Sequence, residues 1–335
     1  MLKLRLFLFP LAGLLTAPLP AQRVQLIPAD PIALPGVSDS NSPVHWWRGE
    51  FHVTQSQAMP IVSIGAAPDG PLKSRAVLFY SYEHMPLWIE STWVDADGTV
   101  YAWYHHEVGV CETLAAPKIG ALVSRDGGRT YEDLGIVLES GYQPDCSSQN
   151  GYFAGGHGDF TVLLDSRKEY FYFYFSNYSG PEAGQGVAVA RMAFADRDAP
   201  AGRVEKFHNG EWSEPGLGGD VTPVFPVRAA WSRPDADAFW GPSLHWNTHL
   251  NQYVMLLNRA CCEPGWPAEG IYISFNPDLG NPNGWTPPAR LPGLHSVGWY
   301  PQVIGLEPGA SDKVAGRVAR FFMGSDSDYE IVFGW

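Results

Sequence analysis

Five stretches of the chain follow one grammar, and that repetition constrains the fold more than any single motif. They are "DSNSPVHWWRGEFHVTQS" from Asp39, "WIESTWVDADGTVYAWYHHE" from Trp88, "GHGDFTVLLDSRKEYFYFYFSN" from Gly156, "WGPSLHWNTHLNQYVMLLNRA" from Trp240 and "WYPQVIGLEPGASDKVAGRVARFFMGS" from Trp299. In each, a polar or small start leads into a short apolar strand. A turn rich in Asp, Gly or Asn follows, then an aromatic or β-branched strand that ends in polar residues. The connections "DADG", "DSRKE" and "NTHLN" have ordinary hairpin length. Further strand-like pieces follow three of the units: "IGALVSRDGGRTYEDLGIVL", then "GVAVARMAFADR" with "KFHNGEWSEP", then "GIYISFNPDLGNPNGWTPPARL". About four strands per unit is the content of one propeller blade. Helical periodicity finds little room, because 36 Gly and 29 Pro interrupt most windows that could carry it. The expectation is an all-β chain, a five-bladed β-propeller with about 63 residues per blade. The fifth unit ends one strand short, and "VQLIPADPIAL" near the N-terminus is expected to supply it and close the ring.

With 45% hydrophobic and 17% charged residues, the 335-residue chain reads as globular. Lys3 and Arg5 precede an apolar stretch with small residues near Ala21, the layout of a secretory signal peptide. Residues 1–21 are therefore expected to be a leader and 22–335 a single propeller domain, secreted or periplasmic. Pro10, Pro18 and Pro20 break the leader too early for a span of roughly 20 apolar residues. An exported chain makes Cys111, Cys146, Cys261 and Cys262 disulfide candidates, with Cys111–Cys146 plus Cys261–Cys262 one pairing and free buried thiols the other reading. The net charge of −13 and the lack of any Lys/Arg cluster argue against a nucleic-acid partner. The 13 Trp, 15 Tyr and 17 Phe offer aromatic faces to core and to sugar alike. A monomer with a carbohydrate partner is expected, with no membrane contact once the leader is removed.

"SRDGGRTY", Ser124 to Tyr131, fits the Asp-box pattern. In it Asp126 and Thr130 are expected to satisfy backbone groups in an outer hairpin turn, with no catalytic role.

In a propeller the innermost strands start, and the second strands end, around one face of the central channel. Asp39, Glu90 and Asp159 stand at the starts of the first three units, and Asn41, His157, Trp240, Trp299, Tyr300 and Gln302 at or near unit starts. His105, His106, Glu107, Asn258 and Arg259 stand at second-strand ends. These residues are expected to line one pocket. Carboxylates that face one another there suit glycosidic bond cleavage, one protonated and one ionised, with mutual repulsion separating their pKa values. Each residue also has a purely structural role to weigh. Asp39 could form an Asx-turn before Pro43, Glu90 could pair with an Arg between blades, and Arg259 could be an ion-pair partner or could grip an acidic sugar. Trp240 and Trp299 could pack between blades instead of stacking on sugar. In "HHE" only His105 and Glu107 share a side, which is short of a metal's usual three or four ligands. No metal and no organic cofactor is expected, although a structural cation in the channel stays open.

With these residues in place the chain resembles the five-bladed propeller glycoside hydrolases typified by family 43, the arabinanases and β-xylosidases, as a divergent member. The resemblance implies an inverting hydrolase with Asp39 as general base and Asp159 as the aspartate that orients and tunes the acid. The group's general acid lies in a Glu-Gly-Pro at the start of the fourth blade, where this chain has Trp240-Gly241-Pro242. Glu90 takes the acid's place in this reading, with Glu107 and Asp237 behind it. Two alternatives stand beside it: a glycan-binding propeller without catalysis, and a sialidase-like enzyme prompted by the Asp-box.

Overall fold

A computed structural model describes residues 23–334. The leader expected over residues 1–21 lies outside them. Five sheets, built mainly of antiparallel pairs, follow one another along the chain, and in each the innermost strand leads into the strands outside it; Arg23–Ala33 and Leu78–Phe79 precede theirs as outer-edge strands. Those innermost strands are Val44–Trp47, Leu87–Val94, His157–Leu164, Ala238–Asn247 and Pro301–Gly305. The fold is the expected five-bladed β-propeller.

The third blade shows why the sequence builds this ring. Its second strand, Tyr170–Asn177, reads YFYFYFSN, and successive side chains of a strand point to opposite faces. Phe171, Phe173 and Phe175 pack with Tyr101 and Trp103 of the second blade. Tyr172 and Tyr174 pack with Leu244, Met255 and Leu257 of the fourth. A strand buried on both faces needs no polar side, so its run of aromatics is continuous. The same division recurs at the other seams. Val62 meets Ala102 and Tyr104 between blades one and two, Val254 and Leu256 meet Phe321 between four and five, and Phe51 and Val53 meet Phe322 between five and one.

The ring closes as the N-terminal segment was expected to close it. Arg23–Ala33 pairs antiparallel with Asp326–Gly334, in register from Arg23 opposite Gly334 to Ala33 opposite Asp326, with an irregularity after Pro28. The fifth blade thus combines both ends of the chain. Cys111 bonds to Cys146 and Cys261 to Cys262, the pairing that the sequence offered beside free buried thiols. In the turn after Ser124, the Asp126 carboxylate accepts the backbone N–H groups of Arg129 and Thr130, a structural role. Among the described residues no helix is long and apolar enough to cross a membrane.

Candidate active site

Local breaks in pairing place the axial residues. The innermost strands of blades two, three and four each lose register once, between Ile89 and Ser91, between Gly158 and Phe160, and between Trp240 and Ser243. A bulge leaves its extra residue unpaired and re-aims the side chain. The bulged residues are Glu90, Asp159 and the Gly241-Pro242 pair. Asp159 holds a left-handed φ of 42°, which an ordinary strand residue does not adopt. The glycine before it is needed for close approach, since a Cβ on Gly158 would come within 2.7 Å of His105 Cε1.

His105 is the hub. Its Nδ1 lies 3.1 Å from Glu90 Oε1 and 3.4 Å from the Asp159 backbone nitrogen, and its Nε2 lies 3.8 Å from Glu107 Oε1. Glu90 is wholly buried, and its other oxygen accepts the Phe160 N–H at 2.9 Å. Desolvation, with Asp39 and Glu107 nearby, pushes its carboxyl well above the usual range. Asp159 is 3% exposed and accepts two phenolic hydroxyls, Tyr178 on Oδ2 and Tyr300 on Oδ1 at 3.2 Å. Burial, opposed by His105, pushes its carboxyl up to about 6.

Two carboxylates of the group reach solvent. Asp39 is exposed and Glu107 keeps 33% of its side chain open. Partial desolvation still raises both above the ordinary carboxylate range. His105 opposes the shift at each, and Asp159 and Asp39 add repulsion at Glu107. The Tyr300 hydroxyl, already on Asp159, also stands beside Asp39. A chain of contacts therefore links Asp39, Tyr300, Asp159, His105 and Glu107.

The other expected lining residues fall into distinct places. Trp299 is half-buried, beside the Asp39 pocket. Trp240 is 1% exposed and packs with Trp266, Trp299 and Tyr300, so it is core and not a sugar platform. Together with Phe153, Tyr178 and Trp231 these rings form one packed aromatic cluster at the start of the fourth blade's innermost strand. Asn41 donates to the carbonyls of Phe160 and Pro242, and Gln302 bonds both the N–H and the carbonyl of Ser42, so both tie blades together. Arg259 makes two 2.8 Å bonds to Asp237 and also reaches Glu269 and Tyr272, which makes it a structural ion-pair partner and occupies Asp237 as well. His157 points its Nδ1 at the Gly156 carbonyl and lines a neighbouring pocket. His106 bonds the Pro86 carbonyl, and Asn258 bonds Gly298 and Tyr300. Glu90 corrects the sequence reading most directly. With no exposed surface and both oxygens engaged, it cannot touch a substrate.

Tyr178 is the residue that sequence reasoning missed. It follows Asn177 at the end of the third blade's second strand, the location that in the second blade gave His105 and Glu107. Glu90, His105 and Asp159 each offer one ligand atom within 4.8 Å of the others, a spacing that a small cation could occupy.

No protein-family profile matches this chain, and no curated protein sequence matches it. Solved structures do. An endo-arabinase from Bacteroides thetaiotaomicron superposes with a TM-score of 0.53 at 10% identity, over 91% of this chain and 96% of that one. A GH43 beta-1,3-galactosidase, solved with galactodeoxynojirimycin, gives 0.51 at 12% identity, covering 90% and 94%. An alpha-L-arabinofuranosidase from Podospora anserina, solved with cellotriose, gives 0.51 at 11% identity, covering 93% and 97%. The chain has the five-bladed propeller fold of such glycoside hydrolases. At these identities the likeness is one of fold.

Proposed function

We propose that the protein is a glycoside hydrolase acting on a polysaccharide or oligosaccharide, with Asp39 as general base and Glu107 as general acid. The observation that carries the reading is the meeting of Asp39, Glu107 and Asp159, from three blades, around His105 and Tyr300. The Glu107 proton passes to the glycosidic oxygen as its bond to the anomeric carbon breaks. Asp39 takes a proton from the water whose oxygen bonds to that carbon on the opposite face, which inverts its configuration. Asp159 lies beneath, shares Tyr300 with Asp39, and raises the Glu107 pKa by repulsion. Glu90 fixes His105: protonated, it donates to Nδ1; ionised, it accepts from it. The reading calls for no organic cofactor, since carboxyl groups carry every proton. Two disulfides fit an oxidising compartment, which supports a secreted or periplasmic location.

Incubation of the purified protein with arabinan, β-1,3-galactan and arabinoxylan, and with furanoside and pyranoside aryl glycosides, tests this. Reducing ends should appear with one substrate class and be lost in Glu107→Gln and in Asp159→Asn. No release from any of these substrates would count against it. A second reading, a glycan-binding propeller, is favoured by the aromatic cluster packed at the start of the fourth blade's innermost strand. Binding without release by the parent, retained in an Asp39→Asn, Asp159→Asn double variant, would decide for it. Five blades and an Arg259 already held by Asp237 leave a sialidase-like reading without its arginine grip.

A further inference from the structure

The face that carries Asp39 and Glu107 also carries two adjoining pockets at the seam of blades two and three. The inner one, about 240 Å³, runs beside the strand of Glu107 and is lined by Val108, Pro117 and Gly156. It abuts the hub, since a Cβ on Gly158 would meet both His105 and Pro117 Cγ, the latter at 3.1 Å. The outer pocket, about 330 Å³, is lined by His157, Asn177, His208 and Asp220. Ser140 and Tyr142 line both, so the two form one groove beside the strand that carries Glu107.

The groove has the chemistry of a sugar subsite. Tyr142 is held in place by a 2.8 Å bond from its hydroxyl to Asp220, and its ring lies against Gly180, yet 43% of the residue stays exposed. A fixed, open aromatic ring stacks on the apolar face of a pyranose or furanose at little entropic cost. His157 is 2% exposed, and its Nε2 has no hydrogen-bond partner. Its Nδ1 lies 3.0 Å from the Gly156 carbonyl, which requires the proton there and leaves Nε2 a bare acceptor. Burial and the nearby Lys206 ammonium hold this imidazole neutral, against the Gly156 carbonyl and the Asn177 side chain, which favour a proton. A buried acceptor without a donor is costly, and a hydroxyl supplies the donor. The Asp220 carboxylate accepts as well. The cation lining the inner pocket, Lys118, is already on Glu139 at 2.7 Å. Acceptors without a free cation select neutral polyols over acidic glycans.

We propose that this groove binds a neutral glycan chain beyond the bond-breaking site, with Tyr142 as stacking platform and His157 Nε2 as hydroxyl acceptor. The inference rests on the proposed hydrolase reading for what lies at the groove's inner end, but it is testable by binding alone. Affinity electrophoresis and calorimetry on the full chain carrying Glu107→Gln would use arabinan, β-1,3-galactan and arabinoxylan, with their disaccharides and hexasaccharides. At least one polymer should bind, with the hexasaccharide tighter than the disaccharide. Tyr142→Ala should weaken the hexasaccharide by about tenfold and erase its advantage, while Tyr142→Phe keeps most of it. Unchanged thermal melting of Tyr142→Ala would show that its fold is intact. Hexasaccharide binding indifferent to Tyr142→Ala, or no binding of any polymer, overturns the groove. If the parent cleaves a glycan but Tyr142→Ala changes no affinity, the groove fails and the hydrolase stands. If polymer binds through Tyr142 and nothing is cleaved, the reverse holds.

Discussion

Asp159 keeps its proton further up the pH scale than a solvated aspartate, and this has a sign for stability. Below its ordinary pKa of 3.8 the folded and unfolded chains both carry the proton, and between 3.8 and about 6 only the folded chain does. Folding therefore takes up a proton in that window, and stability falls as pH rises through it. Glu90, Asp39 and Glu107 are raised too and act in the same direction. Relative to the parent, Asp159→Asn should gain stability by a few kcal/mol between about pH 4 and pH 7. Melting midpoints of both proteins across that range are the check, and parallel curves would contradict it. The same shifts bear on catalysis. A raised Glu107 keeps its proton to higher pH than a solvated glutamate does, so kcat/KM should fall on the alkaline side as that proton leaves. Glu107→Gln should lose activity by about 100-fold or more on substrates with poor leaving groups, and much less on aryl glycosides whose departure needs little protonation. Equal losses on both would remove Glu107 from the acid's role.

At the scale of the strand, what decides the site is where pairing breaks. The alternation that makes Tyr170–Asn177 bury Phe one way and Tyr the other is written in the sequence, because a period of two survives in the order of residues. So were the five blades, the closing N-terminal strand, and the gathering of Asp39, Glu90 and Asp159 at strand starts. The depth of each was not. A bulge changes which way one residue faces without altering composition, so Glu90 reads like Asp159 in sequence while it lies wholly buried with its oxygens on Phe160 and His105. The packed aromatic cluster was equally hidden. "WGP" departs from the Glu-Gly-Pro that the resemblance led one to expect, but that Trp266 packs on Trp240 follows from the fold alone. The bulge makes a demand that can be tested. Gly158→Ala would drive a methyl into the His105 ring, with 2.7 and 2.9 Å to two ring atoms, in a buried place with no slack. It should cost about 1–3 kcal/mol in denaturant unfolding. It should also displace His105 from Glu90, visible as a changed imidazole resonance in NMR. A neutral substitution would mean that the hub is looser than its distances indicate.

At the scale of the ring, five blades cohere through seams that all have the same design, so opening any one exposes two apolar sheet faces. The fifth blade is special because its own sheet joins the N-terminal strand to the C-terminal one. Arg23–Ala33 forms the outer strand of the fifth blade on Asp326–Gly334, and the Arg320 guanidinium, 5% exposed, donates to the Asp30 carbonyl at 2.8 Å. Without that strand, Asp326–Gly334 becomes a bare edge of unpaired backbone groups, open to pairing with another copy. Arg320 then loses one of its acceptors and becomes accessible. The fifth blade also supplies Tyr300, which touches Asp159 and stands beside Asp39, so loosening it reaches the carboxyl cluster. Deletion of residues 23–33 should therefore lower the melting midpoint by roughly 5–10 °C, promote self-association, and reduce any hydrolysis in proportion to the ring-open fraction. Calorimetry and light scattering on the truncated protein check this. An unchanged midpoint with a monodisperse monomer would show that the fifth blade holds on its remaining three strands, and that closure by the N-terminus serves neither stability nor the placement of Tyr300.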